Sequence, residues 1–151
     1  KVAFLLEEDF DFNAVNDALK VWGEAGVHAE IISSHKGMVP SADGRLIEAD
    51  QTFLTADSVL YDAIFVPGGA KKLIRNTDAK QFVSDAYRHF KTIGAVGDAI
   101  PFITAAIPQS MEVSLESQDG ILLAQNTDSN LVFAEAFLKA LSQHRHWNRV
   151  V

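Results

Sequence analysis

The segment Thr92-Ile93-Gly94-Ala95-Val96-Gly97-Asp98-Ala99-Ile100-Pro101 is laid out like a reaction site. Its small and apolar residues up to Val96 predict a buried strand, Gly97 a turn, and Asp98 to Pro101 the start of a helix. Strand, tight turn and helix make a nucleophile elbow, which lifts the turn residue into the open above a parallel sheet. An apex of this kind needs Ser or Cys to attack a substrate. Here it is Gly97, the chain has no cysteine, and no neighbouring Ser or Thr replaces it. Two other stretches hold groups with chemical potential: Glu7 to Asp11, behind the first apolar run, and Pro67-Gly68-Gly69, behind a later one. Asp11 and Asp98 would make an acidic pair if the fold brought them close and buried them; the simpler reading is that each caps a helix. Gly68 and Gly69 have backbone N–H groups suited to an oxyanion hole, or they simply supply the positive φ of a tight bend.

The histidines, at 28, 35, 89, 144 and 146, show no i, i+4 helical pairing, and no thiolate is available, so no metal site is predicted. No dinucleotide fingerprint, phosphate loop or glycosylation sequon is present. A length of 151 residues suits one domain, which buries roughly 68–70% of its unfolded surface. With 48% hydrophobic and 22% charged residues the chain is neither disordered nor fibrous. Its net charge of -7 argues against a nucleic-acid partner, which draws on clustered Lys and Arg. The apolar run Val2 to Leu6 is far shorter than a membrane span or signal-peptide core, so a soluble protein is expected. Opening on Lys1, straight into a strand, suggests a domain excised from something longer.

The elements that must position these residues follow from periodicity. Continuous apolar runs predict parallel strands over 2–6, 27–33, 62–66 and 93–96, with two more at 111–115 and 120–124. Phe12, Val15, Leu19 and Trp22 form one stripe of a helix that Gly26 ends. Phe82, Ala86 and Phe90 mark a second helix over 78–90. A third runs over 98–106 and is closed by Pro108; a fourth, over 127–142, turns Leu131, Ala134, Leu138 and Leu141 to the sheet. Residues 37–50 predict a hairpin with Asp43-Gly44 at its turn, and 57–60 one helical turn. The alternation predicts an α/β, doubly wound sandwich, its mainly parallel sheet flanked by helices on both faces. Its crevice lies where 7–11, 67–70 and 97–98 converge. Residues 1–142 form the domain and 143–151 a tail of that domain.

Phe10-Asp11, Phe65-Val66-Pro67-Gly68-Gly69 and Gly94-Ala95-Val96-Gly97-Asp98, taken together, resemble the class I glutamine-amidotransferase-like fold, which is flavodoxin-like. The branch resembled includes intracellular cysteine proteases, Parkinson's-disease deglycase-like proteins and heat-shock chaperones. In that family an acid after the first strand supports a cysteine at the elbow, often followed by histidine. Those places fall on Asp11, Gly97 and Asp98. Without the nucleophile, no protease, deglycase or glyoxalase chemistry of the family kind is expected: where catalytic groups act as a unit, its loss costs on the order of 10⁶ in rate.

The tail His144-Arg145-His146-Trp147-Asn148-Arg149 sets a tryptophan among cations. Trp and Arg are favoured interface anchors, so Arg145, Trp147 and Arg149 are the candidate interface residues; alternatively Trp147 folds back on its own domain with Arg stacked over it. This ending, the cysteine-free elbow and Phe-Val-Pro-Gly-Gly are similar to the C-terminal domain of large-subunit catalases. The resemblance implies a parent heme enzyme, homotetrameric, that decomposes hydrogen peroxide under oxidative stress. It places the heme in the parent and no cofactor here. It implies the catalase core as partner, unfolded clients as further partners, and a stabilising or holdase role like that of the heat-shock relatives. The alternatives are a residual hydrolase or glyoxalase-type enzyme using Asp11 and Asp98, and a small-molecule-binding or gating module.

Overall fold

The computed structural model describes residues 1–107, 118–125 and 130–149. Val2–Leu5 (β1), fully buried, leads to Phe12–Glu24 (α1) and then to Ala29–Ser33 (β2). Gly37–Pro40 (β3) and Leu46–Ala49 (β4) pair antiparallel as a separate hairpin, and Gln51–Thr52 (β5) joins the edge of the main sheet. Ala63–Val66 (β6), Thr77–Arg88 (α2), Thr92–Val96 (β7), Ala99–Ala106 (α3), Ile121–Ala124 (β8) and Asn130–Leu141 (α4) complete the order.

The sheet runs β5-β2-β1-β6-β7-β8, and its pairs are parallel. Alternation along each strand feeds two cores. Val2, Phe4, Ala63 and Phe65 face α1 and α4, whereas Ala3, Leu5, Ile64 and Val66 face α2 and α3. Trp22 centres the first layer: its ring stacks on Phe137 at 4.5 Å and its indole N–H donates to the carbonyl of Ala134 at 2.9 Å. Gly94 is what lets α4 approach β7, since a Cβ there would lie 2.7 Å from Phe137. This is the predicted doubly wound α/β sandwich.

The differences have local causes. Helix α2 stops at Arg88, and Phe90 lies past it at φ 62° and packs on Trp147 rather than on the sheet. On α4, Phe133 and Phe137 meet the core, while Leu131 is exposed. Strand β5 is too short to read from periodicity, and so is the 3-10 stretch Lys71–Arg75. The hairpin turn forms as read, with Gly44 at φ 86°, and Ser58–Leu60 makes the single turn expected there. The strand predicted over 111–115, Pro108 and the start of the last helix lie outside the described residues.

Candidate functional site

The chain turns to opposite sides of the sheet after β1 and after β6, leaving a crevice above their carboxyl ends, where open α/β sheets bind ligands. Three loops close on it as predicted. The Asp11 N–H donates to the Gly68 carbonyl at 2.9 Å. The Asp98 carboxylate reaches from the elbow to the 67–70 bend, where its Oδ1 accepts from the N–H groups of Gly69 at 2.7 Å and Ala70 at 3.0 Å. Gly69 must be glycine: its φ is +84°, and a Cβ would stand 2.2 Å from the Asp9 carbonyl oxygen.

The elbow keeps its geometry without its reagent. Gly97 sits at φ 59°, donates its N–H to Ala124 at 2.7 Å, and its carbonyl accepts from Ile100 at 3.1 Å. Asp98 stands at the N-cap position of α3 but makes no side-chain cap there, contrary to the simpler reading of this residue. Its backbone is already helical, at φ -72° and ψ -3°, whereas a capping residue holds extended angles. Its carboxylate instead binds the paired N–H groups beside the apex, where an oxyanion hole would hold a substrate oxygen. That pair is Gly69 and Ala70, one residue further along than Gly68 and Gly69. Ala70 was missed because its N–H, not its side chain, does the binding.

Asp11 caps α1 as read, accepting from the Ala14 N–H at 3.2 Å. It lines a pocket of about 320 Å³ with Asn13, Asp43 and Gly68. Asp98 lines another of about 330 Å³ with Glu8, Lys71 and Lys72. The two share Asp9 and Gly69 as a common wall. Each acid is therefore committed to backbone N–H groups on its own side of that wall. Among the described residues no three His, Asp or Glu side chains gather to hold a metal ion, and no helix is long and apolar enough to cross a membrane.

A heme with a tyrosinate ligand does not fit these residues. The tyrosines, at 61 and 87, are both buried. Burial, then Glu30, pushes the Tyr61 phenol up; burial pushes Tyr87 up, with the Arg149 charge partly opposing. Both rings pack in the buried core rather than facing a cleft where a heme could sit.

The tail divides. Trp147 is 72% exposed and rests against Phe90, ring centroids 5.0 Å apart. Arg149 is only 4% exposed and turns inward. Its guanidinium donates to the carbonyls of Tyr87 at 3.0 Å, Lys91 at 2.7 Å and Asp119 at 2.9 Å, and lies over the Tyr87 ring. Burial draws it down to about 10. The Arg that stacks is thus over Tyr87 rather than over Trp147. His146, 1% exposed, exchanges a hydrogen bond with the Thr92 hydroxyl at 2.7 Å, and its ring fills the space that a Cβ on Gly120 would need. Arg145 is half-buried, its guanidinium donating to the His144 carbonyl at 3.2 Å.

The family model described as the C-terminal domain found in long catalases matches residues 1–151. Catalase-2 of Bacillus subtilis is 35% identical over 149 residues, covering 99% of this chain and 21% of that protein. The catalase of Alkalihalophilus pseudofirmus is 35% identical over 150 residues, with the same coverage of 99% and 21%. The chain thus spans about a fifth of the length of these relatives. Among solved structures, DJ-1 of Schizosaccharomyces pombe superposes with a TM-score of 0.78 at 15% identity, over 95% of this chain and 96% of that one. A ThiJ/PfpI domain protein of Brachyspira murdochii gives 0.78 at 15%, over 94% and 96%. At such identities the likeness is one of fold.

Proposed function

This chain belongs to the family of C-terminal domains found in long catalases, and on that basis we propose that it is a noncatalytic domain that stabilises the catalase carrying it and holds unfolding clients in solution. The parent decomposes hydrogen peroxide as a homotetramer, with its heme in the catalase body. Residues 1–142 are the domain and 143–151 its tail, a reading supported by the bonds of His146 and Arg149 to the domain's own backbone and side chains.

One observation carries the reading. The elbow apex is Gly97, and the N–H pair beside it is occupied by the chain's own Asp98 carboxylate. Attack needs an electron pair at the apex, and charge stabilisation needs free donors aimed at the developing oxyanion. Neither is present. Acid–base turnover by Asp11 and Asp98 would require breaking the bonds each makes to backbone, and a ligand entering at the Gly69 and Ala70 N–H groups would have to displace a covalently tethered carboxylate. Holdase action needs exposed apolar surface, and Met38, Leu46, Leu54, Ile74 and Leu131 supply it. The net charge of -7 favours soluble client complexes.

The test is to heat an aggregation-prone client with the domain at several-fold excess and follow light scattering. Suppressed scattering is expected. Unchanged scattering removes the chaperone half of the proposal.

A further inference from the structure

The amino ends of the parallel strands meet at the edge of the sheet opposite the crevice. Lys1, Asp62 and Lys91 directly precede β1, β6 and β7, which are neighbours in the sheet. The groups there are tied together. The Asp62 N–H donates to the Lys1 carbonyl at 2.7 Å, and Lys1 Nζ pairs with the Glu30 carboxylate at 2.9 Å. Lys91 Nζ donates to the Ser58 carbonyl at 2.6 Å, and the His146 N–H to the Phe90 carbonyl at 2.8 Å. At this same end the surface is apolar where water should favour polar groups. Val59 is 69% exposed, Leu60 61% and Trp147 72%, with Phe90 half-buried against Trp147. Buried polar anchors on either side, Lys91 beneath 58 and His146 and Arg149 flanking 147, hold these apolar groups in fixed positions.

We infer that this edge, with Val59, Leu60, Phe90 and Trp147 as its contact residues, is the surface that docks onto the catalase body preceding Lys1 in the long chain. The inference rests on the reading that the domain is joined to such a body. Two observations choose the occupant. The relatives have about four fifths of their length outside the matched segment, each being covered only to 21%. For a C-terminal domain that length arrives at Lys1, so the preceding chain is delivered to this edge and not to the crevice. Tethering raises its local concentration there without any new contact. A large exposed aromatic packed on a second ring, with buried polar anchors beside it, is also the composition of an interface core. Here Arg145, Asp62 and the Lys1–Glu30 ion pair supply the polar surround.

The experiment places the photo-crosslinking residue benzoylphenylalanine at position 147, at position 60 and, as a control, at 46, in the full-length catalase. Leu46 is 54% exposed and pairs with Pro40, whose carbonyl accepts from the Asp9 N–H beside the crevice, at the opposite end of the sheet. All three positions are solvent-facing, so the variants keep the core intact. Irradiation of the purified protein is expected to give adducts from 147 and 60 to peptides preceding Lys1, at about ten times the yield from 46, because a docked core excludes water. Adducts to residues 1–151 of a second copy would overturn the inference, as would yields equal to the control, or adducts that form only when an unfolding client is added. Heat inactivation measured with and without residues 1–151 separates the two claims. Adducts with unchanged heat stability keep the surface and remove the stabilising role; lost heat stability without adducts does the reverse.

Discussion

Replacing Asp98 by Ala removes one oxygen that two backbone N–H groups share. The Ala70 donor is buried, at 2% exposure. Left unpaired, a donor in that position costs about 1–3 kcal/mol. The Gly69 donor is half-buried, so water recovers part of its loss and about 1 kcal/mol is a fair figure. The sum is about 3 kcal/mol, which for a domain of this size lowers Tm by roughly 6–12 °C. Asp98→Asn keeps an acceptor in the same place and gives up only the charge, so it should cost about 1 kcal/mol. Thermal unfolding followed by far-UV circular dichroism, with urea titration for the free energies, measures both. An Ala variant within about 0.5 kcal/mol of the parent refutes the reasoning, for it would mean the two N–H groups never depended on the carboxylate. The order Ala worse than Asn matters as much as the size. If Asn were the worse of the two, the side chain would be acting through something other than those bonds.

Gly69→Ala should cost more than about 3 kcal/mol, since positive φ and a 2.2 Å approach to Asp9 act together, whereas Gly26→Ala, at φ +79° with nothing within 4 Å, should cost about 1 kcal/mol; parallel urea titrations compare them. Arg149→Ala should lose about 2–4 kcal/mol, because the buried carbonyls of Tyr87 and Lys91 and the part-buried one of Asp119 lose a shared cationic donor, and Arg149→Lys should recover only part of it without the planar fork. Burial holds the His146 imidazole below its usual range, with Asp119 opposing and Arg149 reinforcing. The unfolded chain therefore takes up a proton first: stability from His146 is complete above about pH 6.5 and falls as pH drops from there toward the folded value. Unfolding free energies at several pH values between 5 and 8 should show a slope in the parent that is shallower in His146→Gln. Gly97→Cys should leave turnover of methylglyoxal at the blank rate, because the restored thiol still faces an N–H pair filled by Asp98; turnover in that single variant would mean the donors are free.

Much of this fold was legible because its strands are short runs buried on both faces, and such runs differ sharply from the amphipathic helices between them. The stripe on α1 was readable from Val15 and Trp22, and the elbow from the strand-glycine-acid order at Gly97. What could not be read were contacts between distant residues. Nothing in the sequence links Asp98 to Ala70, because the acceptor is a side chain and the donor an N–H that every residue but proline carries. Asp98 next to a helix start looks the same whether it caps that helix or crosses to another loop. The inward turn of Arg149 was hidden for a similar reason: three carbonyls at the ends of α2, β7 and β8 attract it, and carbonyls leave no mark in a sequence. The Trp22–Ala134 bond and the seat of His146 on Gly120 are of the same kind.

The central claim, that this domain serves the catalase by its body and surface and not by chemistry, is met most directly by one comparison. Peroxide decomposition is measured for the full-length catalase and for the same enzyme ending before Lys1, fresh and after timed heating. Equal fresh turnover is expected, with faster heat inactivation and more scattering in the shortened enzyme. Fresh turnover that falls on shortening, with heat inactivation unchanged, would contradict it.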